Sequence, residues 1–200
     1  MKVYLNGNVS EIKITSISTL SDVIVQMEKE IDKSQIITEL KLNEKILGSD
    51  WYNNAKNIFL LDEDDLFITT QSSDYIAVQA LNSSQKSFET ITADFQKVSD
   101  MFRFDNEIKA NSYFAQCIEN FQWYLKIISD SLSLLGKNLS SIQLSDKNLE
   151  EKITELSAKL EEMIECQQSK DWILLADMIE YELLPLLKSL TEIYDILEIN

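Results

Sequence analysis

Apolar and polar residues alternate one by one near the start of the chain, then recur in steps of three and four beyond residue 72. In the first stretch Val3 and Leu5 alternate with Lys2 and Tyr4. Asn6-Gly7 offers a type I′ hairpin turn, and Ile12 and Ile14 flank Lys13 on a return strand. Thr19-Leu20-Ser21-Asp22 reads as an N-cap with an acid three residues on. It opens a helix whose face is Val23, Met27 and Ile31, with Ile24 beside it. Short strands are expected at 36–42 and 46–47, a turn at 48–52, and a last strand at 66–70 after the acidic run Asp62-Glu63-Asp64-Asp65.

The rest of the chain carries four apolar seams with helical spacing. The first is Ala77, Leu81, Ser84, Phe88, Ile91, Phe95, Val98 and Phe102. The second is Phe114, Ile118, Phe121, Leu125, Ile128, Leu132 and Leu135, and the third Leu149, Ile153, Leu156, Leu160 and Met163. Trp172, Ala176, Ile179, Leu183, Leu186, Leu190, Ile193 and Leu197 make the last. Such a/d patterns belong to helices that pack at shallow angles. The first helix, 74–103, would be about 45 Å long at 1.5 Å per residue. Asp105 is the expected cap of the second helix and Gly136 its C′ residue. Ser145 is the expected cap of the third, with Leu144 and Leu149 as a hydrophobic staple. The short polar break at 167–171 makes the third and fourth helices antiparallel neighbours, and Pro185 should kink the fourth.

The order of elements in the first third resembles ubiquitin-like β-grasp domains, and Leu47-Gly48-Ser49-Asp50-Trp51-Tyr52 looks like the stretch such folds carry before their final strand. The chain therefore reads as α+β: an N-terminal β-grasp-like domain at 1–71, then an antiparallel, up-down-up-down four-helix bundle at 72–200. A three-helix arrangement with one long helix packed elsewhere is the alternative. Modifiers and sulfur carriers of that fold family work through a terminal Gly-Gly. None occurs here, so the resemblance implies a binding platform. The segment 171–186 looks like the closing helix of uncharacterised bacterial helical-bundle proteins.

Charge narrows the function. The formal net charge is −16, which repels nucleic-acid phosphates and anionic lipid and points away from both as partners. The first residues lack the apolar run of a signal peptide, no stretch has transmembrane length, and two widely spaced cysteines, Cys117 and Cys166, read as free buried thiols. A cytoplasmic location follows as the expectation.

The chain has no histidine, which removes the commonest general base and nitrogen ligand. No phosphate-binding glycine loop or dinucleotide fingerprint is present either. Carboxylates are what remain. The run 62–65 could gather a hard cation, yet it lacks the spacing of a calcium loop and reads better as a solvated turn. Asp177 and Glu180, one turn apart beside Glu182, suit a metal or acid–base pair on one reading and a solvated helix face on the other. Arg103, the only arginine, could fork onto a carboxylate or stand exposed at a helix end.

The last helix has apolar residues beyond its seam. Leu174, Met178, Tyr181 and Leu184 form a second stripe, which either packs within the protein or faces a partner. The function expected is a non-enzymatic adaptor, scaffold or chaperone-like protein, by fold analogy one linked to a bacterial secretion or motility assembly. It would need no cofactor or metal. Its partner would be another protein, with a second copy of the chain among the candidates. A carboxylate-metal enzyme and an acidic nucleic-acid mimic are the alternatives.

Overall fold

A computed structural model of the chain describes residues 1–10, 19–104 and 106–197. The chain is α+β, and it divides into two compact units, Met1–Ile76 and Ala77–Asn200.

The first unit is a five-stranded mixed sheet with one main helix. Strands β1 (Lys2–Leu5) and β2 (Asn8–Val9) form a hairpin in which Asn6 and Gly7 both take positive φ, as a two-residue I′ turn demands. The predicted return strand at 12–14 lies outside the described residues. Helix α1 (Leu20–Met27) starts at Thr19, whose side chain and that of Asp22 form a reciprocal capping box. Strands β3 (Gln35–Leu42), β4 (Lys45–Ile46) and β5 (Asp65–Ser72) complete the sheet in the order β2-β1-β5-β3-β4, with β1 and β5 parallel and every other pair antiparallel. A short helix, α2 (Trp51–Asn54), begins within the last residues of the predicted turn and runs past it. Val3, Leu40, Leu66 and Ile68 of the strands bury against Leu20, Val23, Ile24 and Met27. The alternation of the strands and the face of α1 thus meet in one aliphatic core.

The second unit is helical: α3 (Ser73–Phe104) from Ala77 onward, α4 (Glu107–Leu134), α5 (Leu149–Ser169), then α6 (Trp172–Met178), a π-helical turn (Ile179–Leu183), α7 (Leu184–Ser189) and α8 (Glu192–Ile196). Every seam position on α3 is buried. Its phenylalanines meet α4 edge-on or tilted, Phe88 on Tyr124, Phe95 on Phe114 and Phe121, and Phe102 on Phe114, so the two helices run antiparallel. Ser84 beside Tyr194 and Phe102 stacked on Trp172 show that the last segment also runs against α3. On α4 the interior positions are Cys117 and Tyr124 rather than Ile118 and Leu125, which are half-buried beside the core. Tyrosine can go inside there because the Tyr194 hydroxyl stands 3.1 Å from those of both Tyr124 and Ser84.

The helix ends follow sequence chemistry, with two corrections. Gly136 takes positive φ, Lys137 N–H donates to Leu132 C=O at 2.9 Å and Gly136 N–H to Ser133 C=O at 3.0 Å, a Schellman end. Asp105, the expected cap of α4, lies outside the described residues, and Asn106 caps it by accepting from the N–H groups of Ile108 and Lys109. Asn148, not Ser145, caps α5, because Asn148 and Glu151 complete a capping box. Ser145 instead donates its N–H to Glu192 at 2.8 Å, and Leu144 and Leu149 both enter the core. Among the described residues no helix is long and apolar enough to cross a membrane.

Candidate interaction surface

Pro185 shapes the closing segment. It has no N–H to give, and its ring collides with the carbonyl four residues back, that of Tyr181. The chain answers with a wider turn: Leu184 N–H reaches back five residues to Ile179 C=O. The extra residue in this turn changes which side chain turns inward next, while Leu190 and Ile193 further on stay buried as expected. Leu187 is therefore fully buried where Leu186, the expected seam residue, is only half-buried.

The predicted stripe is divided between core and solvent. Met178 and Leu184 belong to the core, where the Cys166 thiol donates to Met178 Sδ at 3.4 Å. Leu174 and Tyr181 face solvent, at 47% and 67% exposed. These four residues are thus not one surface. Sequence reasoning missed other exposed apolar residues: Ile173 follows Trp172 on α6, while Phe104 and Ile108 flank the turn between α3 and α4 at 84% and 78% exposed. Their only signal was that they fall off the seams. The stack of Phe102 on Trp172 and the 2.6 Å hydrogen bond from Gln167 to Asn111 bring the end of α3, the starts of α4 and α6, and the end of α5 together. Phe104, Ile108, Ile173 and Leu174 thus all sit at one end of the helical unit.

Carboxylates near this end are already engaged. Arg103 donates to Asp177 Oδ1 at 2.6 Å and to Glu180 Oε2, and Ser99, fully buried, donates to Ala176 C=O at 3.0 Å while accepting from Arg103. Hydrogen bonds to Asp177 and Glu180 hold the Arg103 pKa above its ordinary value. Lys159 reaches both Glu162 and Glu182 at 2.6 Å, and these bonds raise its pKa as well. Arg103 is therefore a bridge between helices rather than an exposed helix-end charge.

Other candidate residues are structural in the same way. In the 62–65 run, Asp64 is buried and accepts from Asn43 Nδ2 at 2.8 Å and Leu61 N–H at 2.7 Å, and these bonds hold its carboxyl below the usual range. Among the described residues no group of three or more acidic, cysteine or histidine side chains is placed to hold a metal ion. Cys117 is buried, and burial pushes its thiol up to about 12, which keeps it protonated and inert at neutral pH.

No curated protein and no solved structure matches the chain. The match to a known family runs over residues 79–193, from the first turns of α3 into α8, and leaves the strand unit outside. Because that span is more than half of its length, the chain belongs to the family described as a domain of unknown function, DUF8042.

Proposed function

We propose that the chain is a cytoplasmic, non-enzymatic adaptor or scaffold that binds another protein through the apolar end of its helical unit. The observation that carries this reading is the set Phe104, Ile108, Ile173 and Leu174, exposed together where neighbouring polar groups are paired internally. Apolar side chains left in water at one place gain free energy only when something covers them. Tyr181 extends the candidate surface along the closing segment. The strand order, with α1 between β2 and β3, supports a β-grasp reading of the first unit. The antiparallel contacts of α3 with α4 and with the closing segment support an up-down-up-down bundle in the second. The free thiols Cys117 and Cys166 suit a reducing compartment.

Asp177, Glu180 and Glu182, which a metal-dependent enzyme would need, already neutralise Arg103 and Lys159, and this supports the non-catalytic reading. The test is affinity capture with the full chain and with Phe104→Asp and Tyr181→Asp variants whose circular dichroism matches the parent. A specific partner, or a dimer seen by light scattering, should weaken about tenfold or more in each variant. Equal binding by both folded variants overturns the assignment.

A further inference from the structure

We propose a second binding site, on the strand unit: the open edge of β3 at 35–38 accepts an extended, basic-flanked peptide segment of a partner protein as an added strand. Three observations converge on it. The first is backbone pairing. Ser73 N–H donates to Ser34 C=O at 2.7 Å, which fixes the phase in which β3 faces β5. By the two-residue alternation of an antiparallel ladder, Ile36 pairs with β5 and Ile37 turns its N–H and C=O the other way, just before a bulge that interrupts the ladder between Ile37 and Glu39. On that other side β4 pairs only with Lys41 and Leu42, and Leu47 N–H adds a bond to Leu40 C=O at 2.8 Å. The strand partner thus stops short of Ile37. A backbone donor and acceptor in strand register are matched best by another strand.

The second observation is a cleft beside that edge, with a volume of about 340 Å³, walled by Ile31, Ile37, Trp51 and Tyr52. Tyr52 is 70% exposed. A second hollow of about 370 Å³ adjoins it across Trp51 and Tyr52, with Val25 on its wall. Side chains on one face of an added strand point the same way at every second residue, so neighbouring hollows suit alternate apolar side chains.

Charge is the third. Glu28 and Asp32 line the cleft against Lys33, and Lys56 lines the second hollow, so the lining is balanced and the negative field comes from the chain around it, of formal net charge −16. Such a field favours a segment flanked by lysine or arginine and disfavours a second copy of this acidic chain. This site goes beyond the proposed apolar end and does not depend on it.

The experiment selects binders to the full chain from a displayed library of random short peptides, then synthesises the enriched ones. Enriched peptides should carry apolar residues at alternate positions with basic flanks, and they should shift and protect the Ile37 amide in NMR hydrogen exchange. N-methylation of the central peptide residue should weaken binding about tenfold, since it deletes a backbone hydrogen bond. Tyr52→Asp, at an exposed position, should weaken it similarly, whereas Tyr181→Asp should leave it unchanged. Binding that survives N-methylation, binding abolished by Tyr181→Asp, or no enrichment over the Tyr52→Asp chain would overturn the site. A dimer that competes with the peptides at Ile37 would overturn its assigned occupant.

Discussion

The strand unit and the helical unit treat their aromatic residues in opposite ways. The core of the first is aliphatic, built from residues such as Val3, Leu20, Met27, Leu40, Leu66 and Ile68. Its rings lie outside that core: Tyr4 stacks on Phe67 at 4.5 Å with Lys41 over the ring, Trp51 packs only partly against the core, and Tyr52 and Phe59 are exposed. The helical unit instead builds its core on Phe88, Phe95, Phe114 and Phe121, although Phe104, Trp123 and Tyr181 remain exposed on it. Burying rings yields dense packing and stability, whereas displaying them yields large, rigid recognition surfaces. The difference suggests that the two units bind by different means, the first by strand edge and ring, the second by a helix-end patch.

The largest test of this contrast is the interior of the helical unit. Phe95→Ala removes a fully buried ring that meets both Phe114 and Phe121. It should cost about 3–5 kcal/mol, with Leu66→Ala in the strand unit costing about 2–5 kcal/mol. Urea unfolding followed by residue-resolved hydrogen exchange should place each loss in its own unit. A loss spread equally over both would break the comparison. Next comes Arg103→Met, which removes the cation shared by the part-exposed Asp177 and Glu180 and should cost about 1 kcal/mol after solvent screening, measured in the same way. Restoration by the added change Glu180→Gln would mark the cost as one of unpaired charge.

The units should also differ in pH response. Tyr113 donates to Asp94 at 2.6 Å, and that bond pushes its phenol up from 10.0 to about 12. A folded pKa above the unfolded one gives stability that is whole below pH 10.0 and lost as pH rises toward about 12. Cys117 adds a loss in the same direction from 9.0 to about 12. Alkali should therefore weaken the helical unit, and Tyr113→Phe should flatten part of the decline in a denaturation series across that range. Asp64 has the opposite sign. Its carboxyl is held below 3.8, so its contribution to the strand unit is present above that value and fades as pH falls below it. Smallest is the cap of α5. Asn148→Ala should cost about 1 kcal/mol and Ser145→Ala much less, read as a shift in the urea midpoint.

Much of the fold was legible because periodicity carries it. The α3 seam, the Asn6-Gly7 hairpin, the Thr19 cap and the Gly136 end each depend on residues adjacent in sequence. Positions whose state depends on distant partners were not legible. Tyr124 goes inside only because Tyr194 and Ser84 arrive from other helices, and Arg103 finds its acids more than seventy residues away. The candidate surface was half legible. Leu174 and Tyr181 are exposed as an interface requires; Leu184 lies beyond a π-turn that a regular helical period does not foresee, and Met178, which precedes that turn, is covered by packing that includes Cys166 from α5. Ser145 looked like a cap for want of any sign that its N–H was claimed by Glu192.

The hydroxyls of Ser84, Tyr124 and Tyr194 have a consequence for assembly. Should the final helix slide by one turn, its phenol would lose both partners and leave the Tyr124 hydroxyl stranded in an oily interior, while Ser84 keeps only its bond to Leu81 C=O. These two weak contacts thus act as a locating pin that makes slipped arrangements costly and singles out one alignment of the last element.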